Sequence, residues 1–215
     1  MKDNTNTLLV IDDHPLFRKG VADLIAMDAT LTLIGEAASG EEGFVKAQEL
    51  RPDLILLDLN MKGMDGIETL KALKEADLDS RVIMLTVSDN EENVVAALRA
   101  GADGYLLKDM EPEHILERLG QAAAGRLVIS DNLTELLARA LCEEPHPRDE
   151  DAAGLTDRER QILELVAQGL SNKHIARQLD ITEGTVKVHV KHLLKKLNLR
   201  SRVEAAVWAV TGRGR

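Results

Sequence analysis

Five polar side chains fall just beyond short apolar runs in the front part of the chain. Asp12 and Asp13 follow TLLVI, Asp58 closes LILLDL, Thr86 closes RVIMLT and Lys108 follows GYLL. Adjacent carboxylates repel, and a third brought beside them is unstable unless a cation neutralises the group. Oxygen ligands with room for water suit Mg2+. With Mg2+ held by Asp12 and Asp13 and the Lys108 ammonium beside it, phosphoryl oxygens can be neutralised while Thr86 donates a hydrogen bond. Asp58 can then attack phosphorus in line, and the expected product is an aspartyl phosphate. Singly, each residue has an ordinary role: Asp13 can cap a helix ahead of Pro15, Lys108 can form a surface ion pair, and Thr86 can be a strand-end hydroxyl. Their recurrence at successive strand ends is what points to chemistry.

The elements that must position them are legible as alternation. The apolar runs TLLVI, LTLIGEA, LILLDL, RVIMLT and GYLL are separated by segments with helical spacing such as LFRKGVADLIAM, GEEGFVKAQEL and GIETLKALKEA. Continuous apolar strands between helices imply a parallel sheet covered on both faces. Five such units fit a flavodoxin-like doubly wound α/β domain, in which ligands gather at the carboxyl ends of the strands. Pro15, Pro52 and Pro112 fall at element starts, where a missing N–H costs little. The expected organisation is this domain over 1–126, a linker helix and flexible acidic linker over 127–154, and an all-α domain over 155–215. The linker contains NLTELLARAL, read as a short helix, and CEEPHPRDEDAAG, which is charged, proline-containing and aperiodic.

From Leu155 the pattern is helical throughout. Thr156 stands three residues before Glu159, a capping-box spacing, and Gly169 is a natural stop. SNKHIARQL, a tight DIT and EGTVKVHVKHLLKKL then give a short helix, a turn and a longer helix, the helix-turn-helix pattern. On the longer helix Val186, Val190, Leu193, Leu194 and Leu197 share one face, while Lys187, Lys191 and Lys195 line the opposite side. A lysine stripe is usually just a solvated face, but here it lies in a helix-turn-helix. Lys187, Val188 and Lys191 are assigned to base edges in the major groove of double-stranded promoter DNA. Thr185, Lys195, Lys173 and His192 are assigned to phosphates. His189 and His192 have no acid or cysteine beside them, so their spacing does not make a metal pair.

Charge distribution agrees with that division. The net charge of −10 is uneven: residues 1–126 carry −11, residues 127–154 carry −5 and residues 155–215 carry +6. An acidic front joined to a basic tail suggests that the tail binds nucleic acid. The single cysteine, Cys142, fits a reducing compartment, and no apolar stretch approaches a membrane span, so a cytoplasmic protein without membrane contact is expected.

With these residues in place, the front domain resembles a response-regulator receiver over its whole length, carried by the paired acids, LLDLNMKGMDG, the Thr86 strand end and GADGYLLKD. The resemblance implies that Asp58 accepts phosphate from a sensor histidine kinase, that Asp12 or Asp13 and the main-chain carbonyl of Asn60 join Asp58 as Mg2+ ligands, and that Thr86, Lys108 and Tyr105 carry the switch. Lys62 departs from the pattern, since most receivers have proline there. A phosphatase of the haloacid dehalogenase type uses similar parts but resembles D-x-D, and the second acid's position is Asn60 here. Asn60 can neither protonate a leaving group nor activate water well, so only self-phosphorylation and slow autodephosphorylation are expected instead of turnover. A third reading, a pseudo-receiver regulated by protein contacts alone, is disfavoured because no site residue is missing.

The tail from LTDRERQ onward resembles the LuxR-type DNA-binding domain, and the combination is similar to the NarL/FixJ class, with DDHPLFRKG and TVKVHVKHLLKKLNLRSRVEAAVW closest in kind to its nitrate/nitrite regulators. That resemblance implies a nitrate/nitrite-sensing kinase, RNA polymerase as a downstream partner, and a last helix, around Val203 to Val210, that pairs two copies into a homodimer on DNA. Val203, Val207 and Val210 form the candidate stripe; the alternative is a helix that closes the bundle with Trp208 in its core. The opposed charges of the two halves further suggest that the unphosphorylated receiver shields part of the lysine stripe.

Overall fold

The computed structural model describes residues 5–76, 78–87, 90–124, 126, 128 and 153–212. Its front part is a five-stranded parallel sheet of β1 (Asn6–Ile11), β2 (Leu31–Ala37), β3 (Leu54–Leu57), β4 (Arg81–Thr86) and β5 (Gly104–Leu107), in the order β2-β1-β3-β4-β5. This is the doubly wound order expected from the alternation. Successive side chains of each strand point to opposite faces, so one run of apolar residues feeds two cores. Leu8, Val10, Leu54, Leu56, Ile83 and Leu85 pack under α1 (Pro15–Ile25) and α5 (Pro112–Ala123). Leu9, Ile11, Ile55, Leu57, Val82 and Met84 pack under α2 (Gly40–Leu50), α3 (Gly66–Glu75) and α4 (Glu91–Arg99).

Local signals set the helix starts. Ser39, Asp65 and Asn90 cap α2, α3 and α4 with their side chains, and Asp65 forms a reciprocal capping box with Glu68. Gly66 opens α3 against the end of β3: a Cβ there would stand 2.2 Å from the Asp58 carbonyl oxygen and 2.6 Å from Leu59 Cα. Only glycine permits that approach, which fixes the loop after Asp58. Gly66→Ala is therefore expected to cost about 1–3 kcal/mol, seen as a lower urea midpoint, because backbone and not a flexible side chain must move.

The amino-terminal edge of the sheet is tied by a buried charge. Asp103 accepts from Lys74 Nζ at 2.7 Å and from the Val82 amide at 2.9 Å. Burial pushes its carboxyl up, but Lys74, Arg81 and these hydrogen bonds outweigh burial and hold it below the usual range. Val128, two residues beyond the boundary read at 126, forms a parallel bridge with Gly104 and extends the sheet past β5.

The tail forms four helices: α6 (Asp157–Ala167), α7 (Asn172–Leu179), α8 (Glu183–Leu197) and α9 (Arg202–Gly212). The Thr156–Glu159 capping box is present, and Gly169 takes the left-handed conformation with φ 80. Ile162, Leu163, Val166, Ile175, Val186, Leu193 and Leu197 build the bundle's core. The expected helix over 132–141 and the acidic stretch to residue 152 lie outside the described residues.

Candidate functional site

Strand register brings the predicted residues together. Ile11 and Leu57 are partners across β1 and β3, so Asp12 and Asp58 leave the sheet side by side. The Asp58 amide still donates to the Ile11 carbonyl at 2.9 Å. Across β4 and β5, Thr86 pairs with Leu107, and the Lys108 amide donates to the Thr86 carbonyl at 2.9 Å. Lys108 then reaches back: its Nζ lies 2.7 Å from Asp12 Oδ2 and 2.9 Å from Asp58 Oδ2, and 4.6 Å from the centroid of the Phe17 ring. Asp12 and Asp58 are each only 2% exposed. Asp13 stands at the rim, where the Lys62 amide donates to it at 3.4 Å. Lys62 itself is exposed, and its departure from the receiver pattern supplies a backbone N–H toward Asp13 that proline would lack. Asn60 Nδ2 approaches Thr86 Oγ1 at 3.5 Å, a weak link between the loop after β3 and the end of β4. Tyr105 is buried on β5, inside the core beneath α2, α3 and α4.

His14 is the residue that sequence reasoning passed over. Its Nδ1 lies 2.9 Å from Asp13 Oδ1, 3.3 Å from Asp12 Oδ1 and 3.9 Å from Asp58 Oδ2. The DDHP string sets one imidazole beside the paired acids, and sequence reasoning gave it no role.

The electrostatics suit a cation. Burial pushes the Asp58 carboxyl above the usual carboxylate range, the Lys108 ammonium pulls it back, and the neighbouring charge of Asp12 raises it again. Asp58 Oδ2 and Asp13 Oδ1 are buried atoms that accept no hydrogen bond, although Lys108 and His14 stand close without the required alignment. Buried acceptors of this kind, grouped with Asp12, are the donor set a hard divalent ion takes. An acid whose folded pKa is raised costs stability while ionised; the cost is fully present above the folded pKa and vanishes below the unfolded value of about 3.9. Asp58→Asn is accordingly expected to raise the urea midpoint of cation-free protein at pH 7, the gain disappearing below about pH 3.9. Added Mg2+ should stabilise the parent chain more than this variant.

The second group of predicted residues lies on α7 and α8. Thr185, Val188, Lys191, His192 and Lys195 are exposed on α8, and Lys173 is exposed on α7. Lys187 is half-buried, because its Nζ pairs with Asp79 Oδ1 of the front domain at 2.9 Å. The two domains are thus docked, and a cavity of about 590 Å³ between them is lined by the strand starts Asn6, Leu54 and Arg81 and by Lys173, Lys187 and Arg202. It is distant from the acids, which stand at the other ends of the strands.

Comparison with known proteins decides the family. Residues 8–120 match the response regulator receiver domain, and residues 153–209 match the luxR family of bacterial regulatory proteins. The chain belongs to the two-component response regulators. The nitrate/nitrite response regulator protein NarL of Escherichia coli K12 is 59% identical over 94% of both chains. The nitrate/nitrite response regulator protein NarP of the same strain is 46% identical, over 96% of this chain and 95% of its own. Among solved structures, the response regulator ChrA of a heme-sensing two-component system is 32% identical, covers 98% of both chains and superposes with a TM-score of 0.53.

In this response regulator the docking face carries charge that works against itself. Burial brings the Arg202 guanidinium down to about 10, with Arg81 lowering it further and Asp103 opposing. Arg202 nevertheless donates to Asn172 Oδ1 at 2.8 Å and to the Leu170 carbonyl. Arg99 of α4 lies 3.9 Å from Glu204 of α9, whose carboxylate also accepts from the Arg200 and Ser201 amides. Of the stripe read as a pairing surface, Val203 and Val207 are buried in this docked conformation, as is Trp208, while Val210 is exposed. A short helix that must close a four-helix core has few apolar residues to leave outside. Among the described residues, no helix is long and apolar enough to cross a membrane.

Proposed function

We propose that this response regulator accepts a phosphoryl group on Asp58 from a sensor histidine kinase and thereby frees its helix-turn-helix domain to bind promoter DNA, in response to nitrate or nitrite. The observation that carries the reading is the ammonium of Lys108 bridging the buried Asp12 and Asp58 at the carboxyl edge of the sheet. A carboxylate oxygen of Asp58 forms the new P–O bond while the P–N bond of a phosphohistidine donor breaks and the leaving imidazole keeps the electron pair. Lys108 and Thr86 offer a charge and a hydroxyl to the transferring oxygens. Asp12, Asp13, Asp58 and the main-chain carbonyl of Asn60 would hold Mg2+, which when bound neutralises charge on the phosphoryl group. Asn60 stands where a hydrolase would need an acid, so the aspartyl phosphate persists and is lost only by slow autodephosphorylation.

The chain divides, in this reading, into a receiver over 1–126, a connecting segment over 127–154 and a DNA-binding domain over 155–215. The domain docks at the amino-terminal end of the sheet, about 13 Å along β3 from Asp58. Thr86 lies just ahead of α4, and α4 touches α9, so a shift of Thr86 and Tyr105 on phosphorylation reaches the docking face through α4 and biases a two-state contact. Freed, Lys187 joins Val188 and Lys191 at base edges, with Thr185, Lys195, His192 and Lys173 on phosphates. Two copies then occupy one site through α9, and RNA polymerase is the downstream partner. The relatives named for nitrate and nitrite response support the signal assignment. Intact mass after incubation with acetyl phosphate and Mg2+ tests the reading: a lasting gain of one phosphoryl group is expected, and continuous phosphate release without an adduct would instead favour a hydrolase.

A further inference from the structure

The cavity of about 590 Å³ between the two domains has the size of a small-ligand pocket, and its charge is unbalanced. Six lysines and arginines line it against four acids. Two of the acids are engaged locally: Asp103 holds Lys74 at 2.7 Å and Asp79 holds Lys187 at 2.9 Å. A third, Asp53, accepts from the Thr7 amide and hydroxyl at 2.9 and 2.8 Å. Arg81 and Arg202 face each other from opposite domains and donate only to neutral oxygens, those of Ala122, Leu170 and Asn172. Among the described residues, no acid forms an ion pair with Arg81, Arg202, Lys173 or Arg177.

Two side chains feel the resulting potential. Burial lowers the His174 imidazole below its usual range, and Arg177, Lys173 and Arg81 lower it further against Glu183. Burial also lowers Arg202, with Arg81 as the like charge. Like charges gathered in a half-buried cleft are stabilised when an anion enters. The first turn of α7 adds to this. Ser171 caps the His174 amide, while the main-chain amides of Asn172 and Lys173 have no protein acceptor among the described residues, and all four residues line the cavity. A helix start beside guanidinium groups is a phosphate-binding arrangement. No Phe, Tyr or Trp is among the described residues of the lining, so the cavity is built to hold charge and not a stacked base.

We propose that the cavity between the domains binds a multivalent phosphate-type anion, inorganic or carried by a small organic molecule, held by Arg81 of the receiver and by Arg202, Lys173 and the start of α7. The two halves of the site come from different domains, so the anion binds the docked form alone and holds the chain closed. It also occupies Lys173, which is needed for DNA phosphates once the tail is free. Such a ligand opposes phosphorylation of Asp58 from the other edge of the sheet. The inference rests on the reading of the docked receiver as a restraint on the tail.

The test uses pyrophosphate as the probe, in Mg2+-free buffer at fixed ionic strength. It compares the full-length chain, full-length Arg81→Gln and the fragment 150–215, which carries its own core of Ile162, Leu163, Val186 and Leu193. Calorimetry is expected to show binding to the full chain that weakens by about tenfold or more in Arg81→Gln and in the fragment, which keeps the basic tail but lacks the receiver's arginine. At ten times its Kd, pyrophosphate should lower the DNA affinity of the full chain by about tenfold, the linkage for a ligand confined to the closed form, and that of the fragment by less than about twofold. Arg81 opens β4 at the opposite end from Thr86, so Arg81→Gln should still form the Asp58 adduct with acetyl phosphate and Mg2+, which checks its fold. Orthophosphate and a hexose phosphate separate the two sources: tighter binding of the hexose phosphate assigns the site to an organic phosphate, and equal binding assigns it to the inorganic ion. Equal pyrophosphate affinity in the full chain and the fragment, or in the parent and Arg81→Gln, overturns the proposal while leaving the restraint on the tail standing. Equal DNA affinity of the fragment and the unphosphorylated chain without the anion would remove the docked state, and the site with it.

Discussion

Asp58→Ala is expected to abolish the phosphoryl adduct formed with acetyl phosphate and Mg2+, measured as intact mass over time, with a loss beyond detection instead of a graded one. The other carboxylates cannot substitute. Asp12 is equally buried, but Lys108 Nζ lies 2.7 Å from its Oδ2, and its Oδ1 accepts the His14 amide at 2.8 Å. Asp58 shares that ammonium, at 2.9 Å from its Oδ2, and what sets it apart is its place at the end of β3 beside the Asn60–Thr86 link. Residual adduct above a few percent of the parent's would place the acceptor elsewhere and contradict the assignment.

Removal of the receiver is expected to raise DNA affinity by about tenfold to a hundredfold at fixed, moderate salt, the effect of a closed state favoured by about 1.4–2.7 kcal/mol. The fragment 150–215 holds its own core, so the comparison with the unphosphorylated chain is fair. The size follows from the docking face. The Lys187–Asp79 pair joins an acid 61% exposed at its side chain, and such pairs contribute at most about 1 kcal/mol. Arg81 and Arg202 oppose each other across the same face, and burial already weakens the Arg202 proton's hold. The contact of α4 with α9, which includes the Arg99–Glu204 pair, adds to closure, as does attraction between the acidic front and the basic tail, which salt screens. Both species must be compared at one ionic strength, since DNA binding itself falls steeply with salt. Fluorescence anisotropy on a promoter duplex reads the difference; equal affinities would mean that the receiver does not restrain the tail.

Much of this was legible because it rests on short-range rules. Buried parallel strands are continuous apolar runs, so TLLVI and LILLDL fixed both the sheet and the strand ends where Asp12 and Asp58 appear. Glu183–Leu197 matched its reading in full because the turn at Asp180–Thr182 and the αL cap at Asn198 are set locally. What depends on packing between distant segments was not legible. Glu204 is buried, its carboxylate accepting from the Arg200 and Ser201 amides and facing Arg99, and a lone acid in the last helix gives no sign of that in the sequence. Val203 and Val207 have the spacing of an exposed seam and the burial of a core, since periodicity shows that a face is apolar and not what covers it. His14 escaped because a single histidine between acids and a proline has no spacing to read.

The central claim is that phosphorylation of Asp58 frees the DNA-binding face, and the most direct measurement is the DNA affinity of one full-length preparation before and after phosphorylation, its stoichiometry checked by mass. The account predicts that affinity rises at least about tenfold, toward that of the fragment 150–215, and returns as the adduct decays. An unchanged affinity in a fully phosphorylated sample would contradict it.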